Sequence, residues 1–234
     1  MDSETAVNLR QIRRRIDEAL LECGRPAGDA ILVAVTKTFP ADVISRAIAA
    51  GHQDFGENRV QEAEEKIPRL ADAPRLRWHL VGHLQSNKAR RAAELFDVIH
   101  SVDSVKLAQK LDRACLDLGK RLSVLIQVDL GQEESKSGVS RAMIRETVSA
   151  LSGFKNLALN GLMTIPPFFE DPEDVRPFFT ELRTLRDSLE AERPGCLGDR
   201  HLSMGMSHDF HIAIQEGATM VRIGTAIFGE RGGG

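Results

Sequence analysis

A (β/α)8 barrel is the fold this sequence predicts, and three observations predict it. Eight short runs rich in β-branched residues alternate with amphipathic helical stretches, the order of right-handed βαβ units around a parallel sheet. Runs such as Ser123-Val124-Leu125-Ile126-Gln127-Val128 are almost continuously apolar, as strands covered on both faces must be. The chain has 234 residues, a comfortable length for eight such units. A closed barrel fits that repeat better than an open doubly wound sheet.

The elements follow in order. A first, extra helix over 4–23 places Leu9, Ile12, Ile16, Ala19 and Leu20 on one face. Arg10, Arg13, Arg14 and Arg15 fall in the same helical pattern and read as its solvated face. Strands are expected at 31–36, 52–56, 77–82, 97–101, 122–129, 158–163, 200–204 and 220–223. Between them, helices are expected near 40–50, 57–67, 85–95, 104–118, 140–151, 173–191 and 207–216. Gly51 and Gly217 follow two of these helices, where a left-handed cap favours glycine. The densest proline patch, Pro166-Pro167 to Pro172, reads as the loop after strand six. No Gly/Ser-rich or Pro-rich linker divides the chain, so one domain over 1–234 is expected.

Composition narrows the function. Net charge is -3 and the pI about 6.2, which gives no electrostatic footprint for nucleic acid. Cys23, Cys115 and Cys196 are odd in number and far apart, a poor basis for disulfides or zinc. The opening Met1-Asp2-Ser3-Glu4 lacks an apolar segment, and no run reaches membrane-spanning length. The expectation is a reduced cytoplasmic protein that touches neither membrane nor nucleic acid. Tyrosine is absent, which removes every mechanism that needs a phenolic acid or base.

Lys37 stands where the apolar run Ile31–Val35 ends. A lysine at such a rim either snorkels to water or condenses with a carbonyl compound, since its pKa shifts readily there. The other end of the chain decides between the two. Barrels of this type hold phosphate between the loops after strands seven and eight. After strand seven comes Ser203-Met204-Gly205-Met206-Ser207, with Ser207 placed as the N-cap of the next helix. After strand eight comes Arg222-Ile223-Gly224-Thr225, where Gly224 permits close backbone approach and Thr225 adds a hydroxyl. A phosphate site and a carbonyl-seeking lysine together suggest pyridoxal 5′-phosphate (PLP).

These motifs resemble the YggS/PROSC group of PLP homeostasis proteins, which are similar to the barrel domain of bacterial alanine racemase. The matching segments are Ala34–Lys37, Phe55–Asn58, His79–Lys88, Ser203–Ser207 and Val221–Thr225, in order along most of the chain. The resemblance implies that Lys37 carries PLP as an internal aldimine. It also implies phosphate contacts from Ser207, Gly224 and Thr225, and places Arg222 at the pyridine nitrogen. Asn58, His83, Ser203 and Met204 are assigned to the same pocket. Where the family carries Ser-Lys-Thr-Lys-Pro, this chain has Thr36-Lys37-Thr38-Phe39-Pro40, so Phe39 replaces a second basic residue.

Lys136, in the loop after strand five, is the rival amine. Neighbouring Glu133 and Glu134 would keep it protonated, which makes it at most a secondary PLP contact. His208 with His211, and His79 with His83, lack the three or four converging ligands that a metal needs. The expected function is to carry PLP and maintain its supply to PLP-dependent apoenzymes, as a monomer without catalytic turnover. The alternatives are a PLP enzyme acting on amino acids, racemase-like, and a sugar-phosphate lyase or aldolase that uses Lys37 without a cofactor. Against the racemase stand the missing tyrosine and, on this reading, the lack of a separate C-terminal β-domain.

Overall fold

The computed structural model describes residues 3–70, 73, 75–131 and 137–229. Among these, eight parallel strands form a closed ring. They are β1 (Ile31–Val35), β2 (Asp54–Glu57), β3 (Arg77–Leu80) and β4 (Val98–Val102), then β5 (Leu122–Asp129), β6 (Leu157–Met163), β7 (His201–Ser203) and β8 (Met220–Ile223). Closure comes from the first and last strands: Val33 lies opposite Arg222 and Ala34 opposite Ile223.

Side chains alternate across each strand, because successive Cβ atoms point to opposite faces. Leu32 and Ala34 join the large apolar layer between strands and helices. Ile31, Val33 and Val35 instead meet Val81 in a small cluster inside the ring. Leu125, Met163 and Met220 form a second inner cluster. Two apolar groups therefore share the interior with polar side chains, a departure from the branched-aliphatic filling usual in such barrels.

The outer ring comprises α1 (Glu4–Glu22), α2 (Ala41–Ala49), α3 (Val60–Lys66), α4 (Ala89–Leu95), α5 (Val105–Leu118), α6 (Ile144–Leu151), α7 (Arg176–Glu192), α8 (Phe210–Gln215) and α9 (Thr225–Phe228). Ser3 caps α1 by accepting from the Ala6 amide at 3.3 Å. The face of α1 read from the sequence is the buried one: Leu9, Ile12, Ile16, Ala19 and Leu20 all lie in the core. Each large side chain among them contributes about 1.5–3 kcal/mol, which pins the helix against α2, α8 and α9. Gly51 and Gly217 have φ of 76° and 90°, the left-handed caps expected of them.

Several elements depart from the expected bounds, and three departures affect the topology or the site. The segment expected to open a helix at 140 begins with the two-residue strand Val139–Ser140, which pairs with the end of β5, and α6 starts at Ile144. The helix expected from 207 begins at Phe210, so Ser207 is not its N-cap. Asp209 accounts for the delay. Its carboxylate accepts from the Met206 amide at 2.6 Å and holds the preceding residues in a turn. The short α9 was also unforeseen, since four residues leave no readable period.

Candidate functional site

The C-terminal ends of β1, β2, β3, β6, β7 and β8 surround a cavity of about 410 Å³. Lys37, Asn58, Ser207, Arg222, Gly224 and Thr225 line it, so the structure brings six of the sequence-derived site residues together. The remaining three lie elsewhere. Met204 is wholly buried in the layer beneath the helices, because it occupies the outward phase after β7. Ser203 is also wholly buried and faces inward, below the cavity, where its hydroxyl accepts from Arg222 Nη1 at 2.7 Å. His83 is exposed outside the cavity lining, 2.9 Å from Ser137 Oγ and 3.3 Å from Asp103. Lys136 falls outside the described residues.

Lys37 is presented by a turn fixed on both flanks. On one side, Thr36 is buried, and its hydroxyl donates to Glu57 Oε1 at 2.6 Å. Lys66 Nζ, from α3, donates to Thr36 O at 2.8 Å and to Glu57 Oε1 at 2.9 Å. On the other side, Thr38 adopts φ 67°, a left-handed conformation uncommon for a β-branched residue. Its amide donates to Glu62 Oε2 at 2.8 Å. Burial pushes the Glu57 carboxyl above the usual range, against the opposing pull of Thr36 and Lys66. Glu57 falls within the matching Phe55–Asn58 segment without an assigned role, and Glu62 and Lys66 fall in no matching segment; the packing of α3 on β2 is what gives all three their part.

Two glycines let the walls approach. A Cβ on Gly82 would come within 2.3 Å of Asn58 O, so no larger residue fits between the ends of β2 and β3. A Cβ on Gly224 would meet Val35 O at 3.0 Å. Phe39 also faces the cavity, and its ring lies 5.2 Å from that of Phe228 at the end of α9. The position that is basic in the YggS/PROSC pattern is thus an aromatic rim here. Val35, Val81, Gly82, Ile165, Met206 and His208 complete the lining and were not assigned from the sequence. All six lie at the end of a strand or in the loop that follows it, which is the one signal that would have found them.

Arg222 forms the charged part of the floor. It is 4% exposed and donates to Ser203 Oγ at 2.7 Å and to Thr164 O at 2.9 Å. Burial pushes its pKa down to about 10, with Asp209 opposing the shift, so it remains a cation at neutral pH. One ammonium, one guanidinium, two hydroxyls and a glycine backbone therefore meet in a space suited to a small anionic ligand.

The alanine racemase N-terminal domain family matches residues 7–232. A pyridoxal phosphate homeostasis protein of Aquifex aeolicus (strain VF5) is 44% identical over 223 residues, 95% of this chain and 96% of that one. This chain belongs to the pyridoxal phosphate homeostasis protein family. A member of that family from Escherichia coli (strain K12) is 41% identical over 98% of this chain and 97% of its own length. Among solved structures, PipY of Synechococcus elongatus PCC7942 with PLP bound is 43% identical, with a TM-score of 0.82 over 92% of this chain and 100% of that one. The alanine racemase of Clostridium difficile 630 shares the fold at 18% identity and a TM-score of 0.68, and this chain spans 56% of it. The comparisons agree with the barrel and the family resemblance read from the sequence.

Proposed function

We propose that this protein binds PLP in the cavity at the strand C-termini, holds it covalently through Lys37, and maintains its supply without turning over a substrate. The observation that carries this reading is the convergence of Lys37, Arg222, Ser207, Gly224 and Thr225 on one cavity of about 410 Å³. Ser207, Gly224 and Thr225 would hold the phosphate, with hydroxyls and a backbone free of any Cβ. Lys37 would supply the amine for the aldehyde carbon. Arg222 would face the ring nitrogen. When bound, PLP supplies an electrophilic aldehyde and an electron sink. Relatives named for PLP homeostasis and a related structure with PLP bound support the assignment.

The non-catalytic part of the proposal rests on two features. The sequence contains no tyrosine to act opposite Lys37. Arg222 is a buried cation whose N–H groups only donate, so it disfavours a proton on any ring nitrogen it faces and weakens the electron sink. We further assign the protein to the cytoplasm as a single chain that delivers PLP to apoenzymes. Its three cysteines are free thiols, and no helix among the described residues is long and apolar enough to cross a membrane.

The test is incubation of PLP-loaded protein with L-alanine and other L-amino acids in deuterated water. The expected result is no catalytic exchange at Cα. Exchange with inversion, lost in Lys37→Ala, would establish an amino-acid racemase instead.

A further inference from the structure

A file of buried polar side chains crosses the barrel interior below the cavity. Arg222 Nη1 lies 2.7 Å from Ser203 Oγ, and Ser203 Oγ lies 2.8 Å from His100 Nδ1 on the opposite side of the ring. His100 Nε2 is 2.9 Å from His79 Nδ1, and His79 Nε2 is 3.0 Å from Asp54 Oδ1. Asp54, at the start of β2, is also held by Arg77 Nη2 at 2.8 Å. Ser203 and His100 are fully buried and His79 is 1% exposed.

The ends of this file determine the direction of every bond in it. Arginine has no acceptor, so Ser203 must accept from Arg222. Ser203 then has one hydrogen, and His100 Nδ1 is the remaining neighbour to receive it. His100 therefore carries its proton on Nε2 and donates to His79 Nδ1. His79 in turn carries its proton on Nε2 and donates to the Asp54 carboxylate. Two observations agree. Burial, then His79 and Arg222, hold His100 well below the ordinary imidazole range. Burial would raise Asp54, but hydrogen bonds from His79 and Arg77 outweigh it and keep the carboxylate ionised.

The reverse order is poorer. It would need both nitrogens of His79 protonated, adding a cation to an interior that already holds Arg222. It would also leave the Ser203 hydroxyl hydrogen without an acceptor, at the cost of an unsatisfied buried donor.

We propose that Arg222, Ser203, His100, His79 and Asp54 form a one-way hydrogen-bond chain that fixes the Arg222 guanidinium, with Ser203 and His100 as positioning residues for it. The inference deepens the PLP reading, because the orientation of Arg222 matters there only if a ligand ring meets it. Its first test needs no ligand. Nitrogen-15 NMR of the wild-type protein without PLP, recorded roughly one to two units above the ordinary imidazole pKa, should show Nε2 protonated and Nδ1 bare in both His100 and His79. A doubly protonated His79, or a proton on His100 Nδ1, would overturn the chain.

The second test reads the ligand. Ser203→Ala should weaken PLP binding about tenfold and shift the visible absorbance of the bound form. Ser203→Thr, which keeps the hydroxyl, should restore both. Equal affinity and spectra in all three proteins would overturn the positioning role. Failure of every form to bind PLP would refute the proposed function, and the wild-type NMR would still decide the chain.

Discussion

Lys66 Nζ and Glu57 Oε1 form an ion pair 2.9 Å long behind the turn that carries Lys37, with 11% and 0% of their side chains exposed. Lys66 also donates to Thr36 O at 2.8 Å, so the pair ties α3 and β2 to the residue preceding Lys37. Removing one partner of a buried pair leaves the other charge without compensation. Lys66→Met should cost about 3 kcal/mol, the low end for such losses, since Glu57 can take up a proton. Urea denaturation measures the cost, and the same variant should bind PLP more weakly because the turn loosens.

Lys37 should be the residue that borohydride fixes to PLP. After reduction and peptide mapping, the pyridoxyl mass is expected on the peptide containing Lys37. Stoichiometric label on Lys136 instead would transfer the covalent role to the loop after β5.

Thr225 lines the cavity beside Gly224 and is expected to contact the phosphate. A hydrogen bond to a charged acceptor is worth roughly 1.5–3 kcal/mol, or about tenfold to hundredfold in affinity. Thr225→Ala should therefore weaken PLP by that factor and free pyridoxal far less. An equal loss for both ligands would put the phosphate elsewhere.

Gly82 is a steric requirement of the site. Its added Cβ would sit 2.3 Å from Asn58 O, which is backbone and has no rotamer to yield. Gly82→Ala should destabilise the fold by about 1–3 kcal/mol and weaken PLP binding, with Asn58 displaced. Gly51→Ala makes a useful contrast. Nothing lies within 4 Å of its added Cβ, so it should strain only its left-handed φ of 76° and leave PLP affinity unchanged.

Stability should fall on mild acidification. Burial, then Arg13, pushes His52 from the ordinary imidazole value of 6.5 to about 4. Arg13 Nη2 donates to His52 Nδ1 at 3.0 Å, and His52 Nε2 donates to Asp54 O at 2.8 Å, so both nitrogens are committed to the neutral ring. Between those pH values the unfolded chain binds more protons than the folded one. The contribution is therefore complete above pH 6.5 and lost as pH falls toward 4, about 3 kcal/mol in total. Asp54, held below the usual carboxylate range, adds a further loss as pH drops through its own folded value. Urea midpoints between these pH values should show the slope, and His52→Asn should flatten it.

The sequence by itself determined the barrel, because alternating apolar runs and helical periods are local and repeat eight times. It also singled out Lys37, Ser207, Gly224 and Thr225, since a parallel barrel brings all its strand C-termini to one mouth whatever the details of packing, and the family resemblance added Asn58 and Arg222. What it left undecided were matters of phase and reach. Ser203 and Met204 are neighbours in one motif, yet alternation sends Ser203 inward to Arg222 and Met204 outward into the core. His83 follows a strand end as Asn58 does, but its ring turns to Ser137 and Asp103 at the rim. Ser207 looked like a helix cap until Asp209 took the Met206 amide and moved the helix start. The chain from Arg222 to Asp54 joins residues from five strands, two of them 103 positions apart in sequence. Only closure of the ring brings those groups within hydrogen-bond distance, and no local pattern records which inward-facing side chains will meet across it.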